Sequence, residues 1–150
     1  MKYLILTFSL FTLLAHAQNE IKLPIPIPYK ELQTKLYADG KVVLKDIQFD
    51  AKNKLLPTSE PQIKEISRLL NAYKKMKVLI VVHTDNSCPL EECIEISQSN
   101  AEQVTNALGN DYMVNSWQMT AKGVGFMSPL ATNQTEEGKK LNRRVELVLQ

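Results

Sequence analysis

The sequence predicts an α+β fold, a two-layer sandwich with helices packed on one mixed sheet. Three stretches carry that expectation. Val78 to Val82 is five consecutive apolar residues, four of them β-branched, the pattern of a strand covered on both faces near a sheet centre. Ile63, Ile66, Leu70 and Tyr73 recur at helical spacing behind Thr58-Ser59-Glu60-Pro61, a helix-opening run. Val145, Leu147 and Leu149 alternate with Glu146, Val148 and Gln150, as in a strand with one face towards a core.

The chain of 150 residues is long enough for one ordinary domain. Its 18 basic and 16 acidic residues give a formal charge of +2, which leaves no electrostatic footprint for nucleic acid. Two histidines and two cysteines are too few for a dense metal site or a histidine-based catalytic centre, and no cofactor fingerprint is present. With no activated-nucleophile pattern either, neither an enzyme nor a bound cofactor or metal is expected.

Residues 1–17 have the layout of a secretory signal peptide: Lys2, an apolar run from Tyr3 to Leu14, then Ala15-His16-Ala17 before Gln18. As a helix that run spans roughly 18 Å, short of a ~30 Å hydrocarbon core. The expected product is exported to the periplasm, with no transmembrane segment left after cleavage. Residues 18–36 read as a proline-containing linker, because Pro24, Pro26 and Pro28 alternate with Leu23, Ile25 and Ile27. A docking strip for a partner is the rival reading of that segment.

The domain itself is expected over residues 37–150. Ala38-Asp39-Gly40 is a turn signal, and Lys41 to Phe49 reads as strand. Its apolar phase switches near Lys45-Asp46, which calls for a bulge or two short strands. In the next helix Ser59 is placed to cap and Gln62 stands at the box position. Lys74, Lys75 and Lys77 follow its C-terminus, where the macrodipole favours cations; a binding patch is the sharper alternative. Ser97 to Leu108 reads as a helix ended by Gly109-Asn110, Gln118 to Val124 as a strand, and Thr135 to Asn142 as a short helix. Arg143 and Arg144 adjoin the last strand, so their side chains should leave on opposite faces. His83 reads as a structural hydrogen-bonder at a strand end. Trp117, the sole tryptophan, reads either as the cover of a helix end or as a stacking surface.

Cys88 and Cys93 are the only cysteines, and an even count in an exported chain argues for a disulfide. The rival readings are weak. Only His83 could add a nitrogen ligand for a metal, and a catalytic dithiol favours Cys-x-x-Cys.

Several blocks occur in a familiar order: Ile47-Gln48-Phe49-Asp50, Val82-His83-Thr84-Asp85-Asn86, Ile96-Ser97, Gly123-Val124-Gly125 and Asn142-Arg143-Arg144-Val145-Glu146. From about Lys41 to Leu149 the chain resembles the OmpA-like C-terminal domain found in OmpA, Pal and MotB. The resemblance implies a βαβαβ-type OmpA-like sandwich. It also implies non-covalent binding of the peptidoglycan stem peptide, whose diaminopimelate ends in an ammonium and a carboxylate, and so a link between wall and outer envelope. An outer-membrane protein partner is a further implication.

Matched by position, Asp85 would hold the ligand ammonium and Arg143 would line the pocket, with Thr84 beside them in the same block. The family arginine fifteen residues after the aspartate is here Asn100. Asparagine cannot form the bidentate charged pair, a loss of about 1.5–3 kcal/mol. It would suit an amidated diaminopimelate. Cys88, Cys93 and Val82 also replace family residues around the same loop. These departures motivate a rival reading, an OmpA-fold interaction or structural domain that has lost wall binding. The ligand reading requires the Asp85 carboxylate to face an open cleft.

Overall fold

The computed structural model describes residues 25–150. The expected signal peptide, residues 1–17, and the first part of the approach segment lie outside the described residues. The elements run in order as helix α1 (Tyr29–Asp39), strand β1 (Lys41–Leu44), helix α2 (Glu60–Ala72), strand β2 (Val78–His83), helix α3 (Leu90–Tyr112), strand β3 (Met119–Gly123), helix α4 (Glu136–Asn142) and strand β4 (Arg144–Leu149). The strands form one mixed sheet in the order β1-β4-β2-β3. β2 pairs β3 in parallel, while β4 runs antiparallel to both β1 and β2. The expected α+β sandwich on one mixed sheet is therefore the observed architecture.

Strand registry places Val42, Leu44, Val78, Ile80, Val82, Val145 and Leu147 on one face. They pack in a single core with Leu32 and Leu36 of α1, Ile66 and Leu70 of α2, and Val104 and Leu108 of α3. Because helices cover that face alone, Leu79 and Val81 on the other side are only half-buried. The five-residue apolar run is thus central in the sheet but is not sealed on both faces.

Helix α1 corrects the linker reading from Tyr29 onward. The extended segment stops at Pro28, whose backbone is extended, and the chain turns helical at the next residue. Leu32 and Leu36, four apart, are fully buried, worth about 3–6 kcal/mol of gross transfer free energy between them. Gly40 ends the helix at φ +72° and donates its N–H to Leu36 O at 3.0 Å, so the turn signal at 38–40 is the helix C-cap.

The expected capping box at Ser59 and Gln62 does not form. Ser59 is already helical, at the end of a 3-10 turn, and has no capping bond. Its hydroxyl accepts from Gln48 N and donates to Gln48 O instead. Fully buried Gln62 accepts from Ile27 N at 2.8 Å and donates to Ile27 O at 3.2 Å. It anchors the approach segment against α2. The switch expected near Lys45-Asp46 is real: β1 ends at Leu44, and pairing resumes only as an isolated Phe49–Leu55 bridge.

Helix α3 is longer than expected at both ends. It starts directly after Pro89 and runs through Gly109 to Tyr112. Met113, at φ 55°, makes the left-handed cap, and Val114 N donates to Leu108 O as the chain folds its buried side chain back.

Candidate functional site

β2 delivers His83-Thr84-Asp85 to the sheet edge where β3 also ends. Val124 N donates to Val82 O at 3.1 Å and Thr84 N to Gly125 O at 2.9 Å, which continues the parallel ladder past the strands. Helix α3 is stitched to the same edge. Gln98 Oε1 accepts from Gly123 N at 2.8 Å, and Ser97 Oγ accepts from Gly125 N at 2.9 Å. A Cβ at Gly123 would sit 2.0 Å from Gln98 N, so the Gly-x-Gly block serves close helix–strand approach.

Asp85 and Arg143 meet at this edge. Asp85 Oδ1 accepts from Ser87 N at 2.8 Å, and Oδ2 accepts from Arg143 Nη1. Burial pushes the carboxyl pKa up, but hydrogen bonds from Ser87 and Arg143 outweigh it and hold the group below its usual value. The carboxylate is therefore ionised and already partnered. Asp85 is only 4% exposed, whereas the Arg143 side chain is 51% exposed. The open cleft required beside Asp85 is not what the structure shows: the guanidinium closes it.

Asn100 is buried two helical turns along α3 from Cys93, roughly 10 Å. Its Oδ1 accepts from Gln103 Nε2 at 3.3 Å, and Gln103 also holds Leu55 N and Asn53 O. Asn100 thus belongs to a network that fastens the 53–55 loop, and no hydrogen bond joins it to Asp85 among the described residues. Thr84 Oγ1 is buried without a partner.

The expected disulfide is present between Cys88 and Cys93. Cys93 is fully buried, and its Sγ lies 3.5 Å from Asp85 O, a contact rather than a hydrogen bond because a half-cystine carries no proton. The bridge thereby clamps the loop after Asp85 onto the first turns of α3. Closing so short a loop is worth about 2 kcal/mol in the chain-entropy model. Cys88→Ser/Cys93→Ser is expected to lose that amount, read as a lower urea midpoint with an unchanged slope.

Arg143 and Arg144 point to opposite faces, as their adjacency requires. Arg144 is buried on the sheet face away from the helices. Its Nε donates to Glu146 Oε1 at 2.7 Å, and its remaining donors reach Asn142 O and Ser128 O. Lys41 Nζ adds a bond to Glu146 Oε2 at 3.2 Å. This charged knot is signalled in the sequence only by period-2 alternation, which places Arg144 and Glu146 on one face.

His83 completes the knot. Its Nε2 is 3.8 Å from Glu146 Oε1, and neither ring nitrogen has a hydrogen-bond partner, so it is not the hydrogen-bonder expected. Burial, followed by the adjacent Arg144 charge, pushes its pKa from 6.5 down to about 4. Between those values the unfolded chain binds the proton and the folded chain does not, so stability falls as pH drops from 6.5 towards 4. The full linkage is on the order of 3 kcal/mol. Urea midpoints are expected to decline across that window, and His83→Phe should flatten the decline.

Helices packed on a four-stranded mixed sheet are the architecture of OmpA-like domains. The comparisons agree. The OmpA family sequence profile matches residues 49–143, and the chain belongs to that family. Outer membrane protein Omp38 of Acinetobacter baumannii is 31% identical over 121 residues, which cover 80% of this chain and 34% of that protein. The chain therefore spans about a third of that relative's length. Among solved structures, the peptidoglycan-associated lipoprotein of Burkholderia pseudomallei superposes with TM-score 0.63 at 26% identity, covering 75% of this chain and 92% of that one. The cell wall anchor of the T6SS from Pseudomonas aeruginosa superposes with TM-score 0.61 at 26% identity, covering 83% and 96%.

Proposed function

We propose that this domain is a non-catalytic wall-binding module of the periplasm that holds the peptidoglycan stem peptide by exchanging its own ion pair. The carrying observation is the juxtaposition of Asp85 with a half-exposed Arg143 at the strand exit. A diaminopimelate head presents an ammonium for Asp85 and a carboxylate for the guanidinium that swings aside. The exchange strands no charge, because the incoming ammonium replaces the guanidinium beside the buried Asp85 carboxylate while the half-exposed Arg143 turns to the ligand carboxylate. Relatives named as a peptidoglycan-associated lipoprotein and a cell wall anchor support the reading. Arg143 then takes the carboxylate that a longer side chain at position 100 would otherwise grip. An amidated head, recognised by Asn100, is the variant that titration with free and amidated stem peptides separates. An outer-membrane relative supports a position next to that membrane, where a protein partner would be met.

The closed state of Asp85 and the asparagine at position 100 favour a second reading, an interaction or structural domain without wall affinity. Pull-down with purified sacculi decides between them. Retention of the parent domain is expected, with Asp85→Ala lowering it at least tenfold. Asn100→Arg, checked for an unchanged melting curve, should strengthen retention by about 10- to 150-fold, the value of a restored charged pair. If the parent is not retained, or if Asp85→Ala binds equally well, the second reading stands.

A further inference from the structure

The end of the sheet remote from Asp85 carries features that the ion pair does not use. A cavity of about 440 Å³ opens there, with Tyr37, Tyr73, Lys74, Lys75 and Lys77 among its lining and Met76 and Leu149 beneath. No acidic side chain lines it, and Gln150 completes the lining. Among the described residues no carboxylate lies within salt-bridge distance of any of the three ammonium groups; Lys74 bonds only the Asn71 amide. The cavity is separated from Asp85 by the length of β2, roughly 20 Å.

The rim is aromatic as well as basic. Tyr37 is 62% exposed and Tyr73 37%. Lys77 of the lining also stands over the ring of Trp117, 5.4 Å from its centroid; Trp117 lies outside the lining and is 48% exposed. Tyr73 is held in place by its hydroxyl, which donates to Gln33 Oε1 at 3.0 Å. Helix-end solvation explains lysines after α2 but not Tyr37 and Tyr73 in the same lining, with Trp117 beside Lys77. Apolar side chains, flat aromatic faces and a hydroxyl-bearing rim suit the two-sided polarity of a pyranose ring, and ammonium groups without a carboxylate partner suit a charged substituent on it.

The geometry points to a binding site for an anionic saccharide at this end of the molecule, independent of the Asp85 pair. Trp117, as the sole tryptophan, is a built-in reporter. Titration with hexagalacturonate at low ionic strength is expected to give a saturable fluorescence change that maltohexaose does not give. Lys74→Gln/Lys75→Gln, which leaves the reporter and its Lys77 neighbour intact, should raise the half-saturation point about tenfold. Tyr37→Ala should raise it severalfold, and Asp85→Ala should leave it unchanged, so this site and the wall-binding reading fail separately.

Four outcomes would overturn the site. They are no saturable change with the uronate; equal binding by the Lys74/Lys75 double variant; equal binding by Tyr37→Ala, which means charge alone is read; and tighter binding of oligothymidylate or of phosphatidylglycerol vesicles, which means the surface serves another class of polyanion.

Discussion

Arg144→Ala is expected to destabilise the domain by about 3–5 kcal/mol, because it strands a buried carboxylate. Glu146 is 4% exposed and loses its 2.7 Å partner, keeping only the half-exposed Lys41. The Ser128 and Asn142 carbonyls lose a donor as well, so the loop over this face loosens. Burial alone would raise the Glu146 pKa, and the bonds from Arg144 and Lys41 bring it below the usual value. That contribution is present above the unfolded carboxyl value and is lost as pH falls through the folded one. Arg144→Ala should therefore lower the urea midpoint most at neutral pH and progressively less in acid. The double variant Arg144→Met/Glu146→Leu should recover most of the loss, since replacing both charges removes the stranded one. A single variant that melts like the parent at neutral pH would show that the knot carries no weight.

Gly123→Ala is the second large effect. The added methyl would lie 2.0 Å from Gln98 N and 2.5 Å from Gln98 Cα, both backbone atoms of α3. Neither side can yield by rotating a side chain, so the helix must lift from β3 and release the Gln98 and Ser97 bonds to the glycine loop. A cost of about 3 kcal/mol or more is expected, equivalent to a fall in Tm of roughly 10 °C. Gly109→Ala is the contrasting control. That glycine lies inside α3 with its nearest neighbour 3.9 Å away, so alanine should stabilise by about 0.5–1 kcal/mol through helix propensity. Equal melting temperatures for the two variants would contradict the packing described for β3.

The strands and the fate of the two arginines were legible because both follow from short-range rules. Five adjacent apolar residues select a central strand, and neighbours in a strand diverge by face. The disulfide was legible from the even cysteine count together with the expected export. Helix α1 was not, since Leu32 and Leu36 are its only fully buried apolar residues and the preceding prolines dominate the local pattern. Ser59 and Gln62 show the same limit from the other side. Each could satisfy a helix terminus locally, but each found a backbone partner 11 or 35 residues away that only the tertiary fold brings near. At the candidate site the residue types were readable. The closure of Asp85 by Arg143 was not, because it depends on how a strand exit and the end of α4 converge across 58 positions.

The placement of β4 governs when this chain can fold. β4, the latest of the four strands in chain order, lies between β1 and β2, so β1 has no strand partner until synthesis has passed residue 149. Contacts spanning roughly the whole domain must close late, and loop-closure entropy makes such closure slow. A nascent chain therefore keeps this sheet open until β4 is delivered.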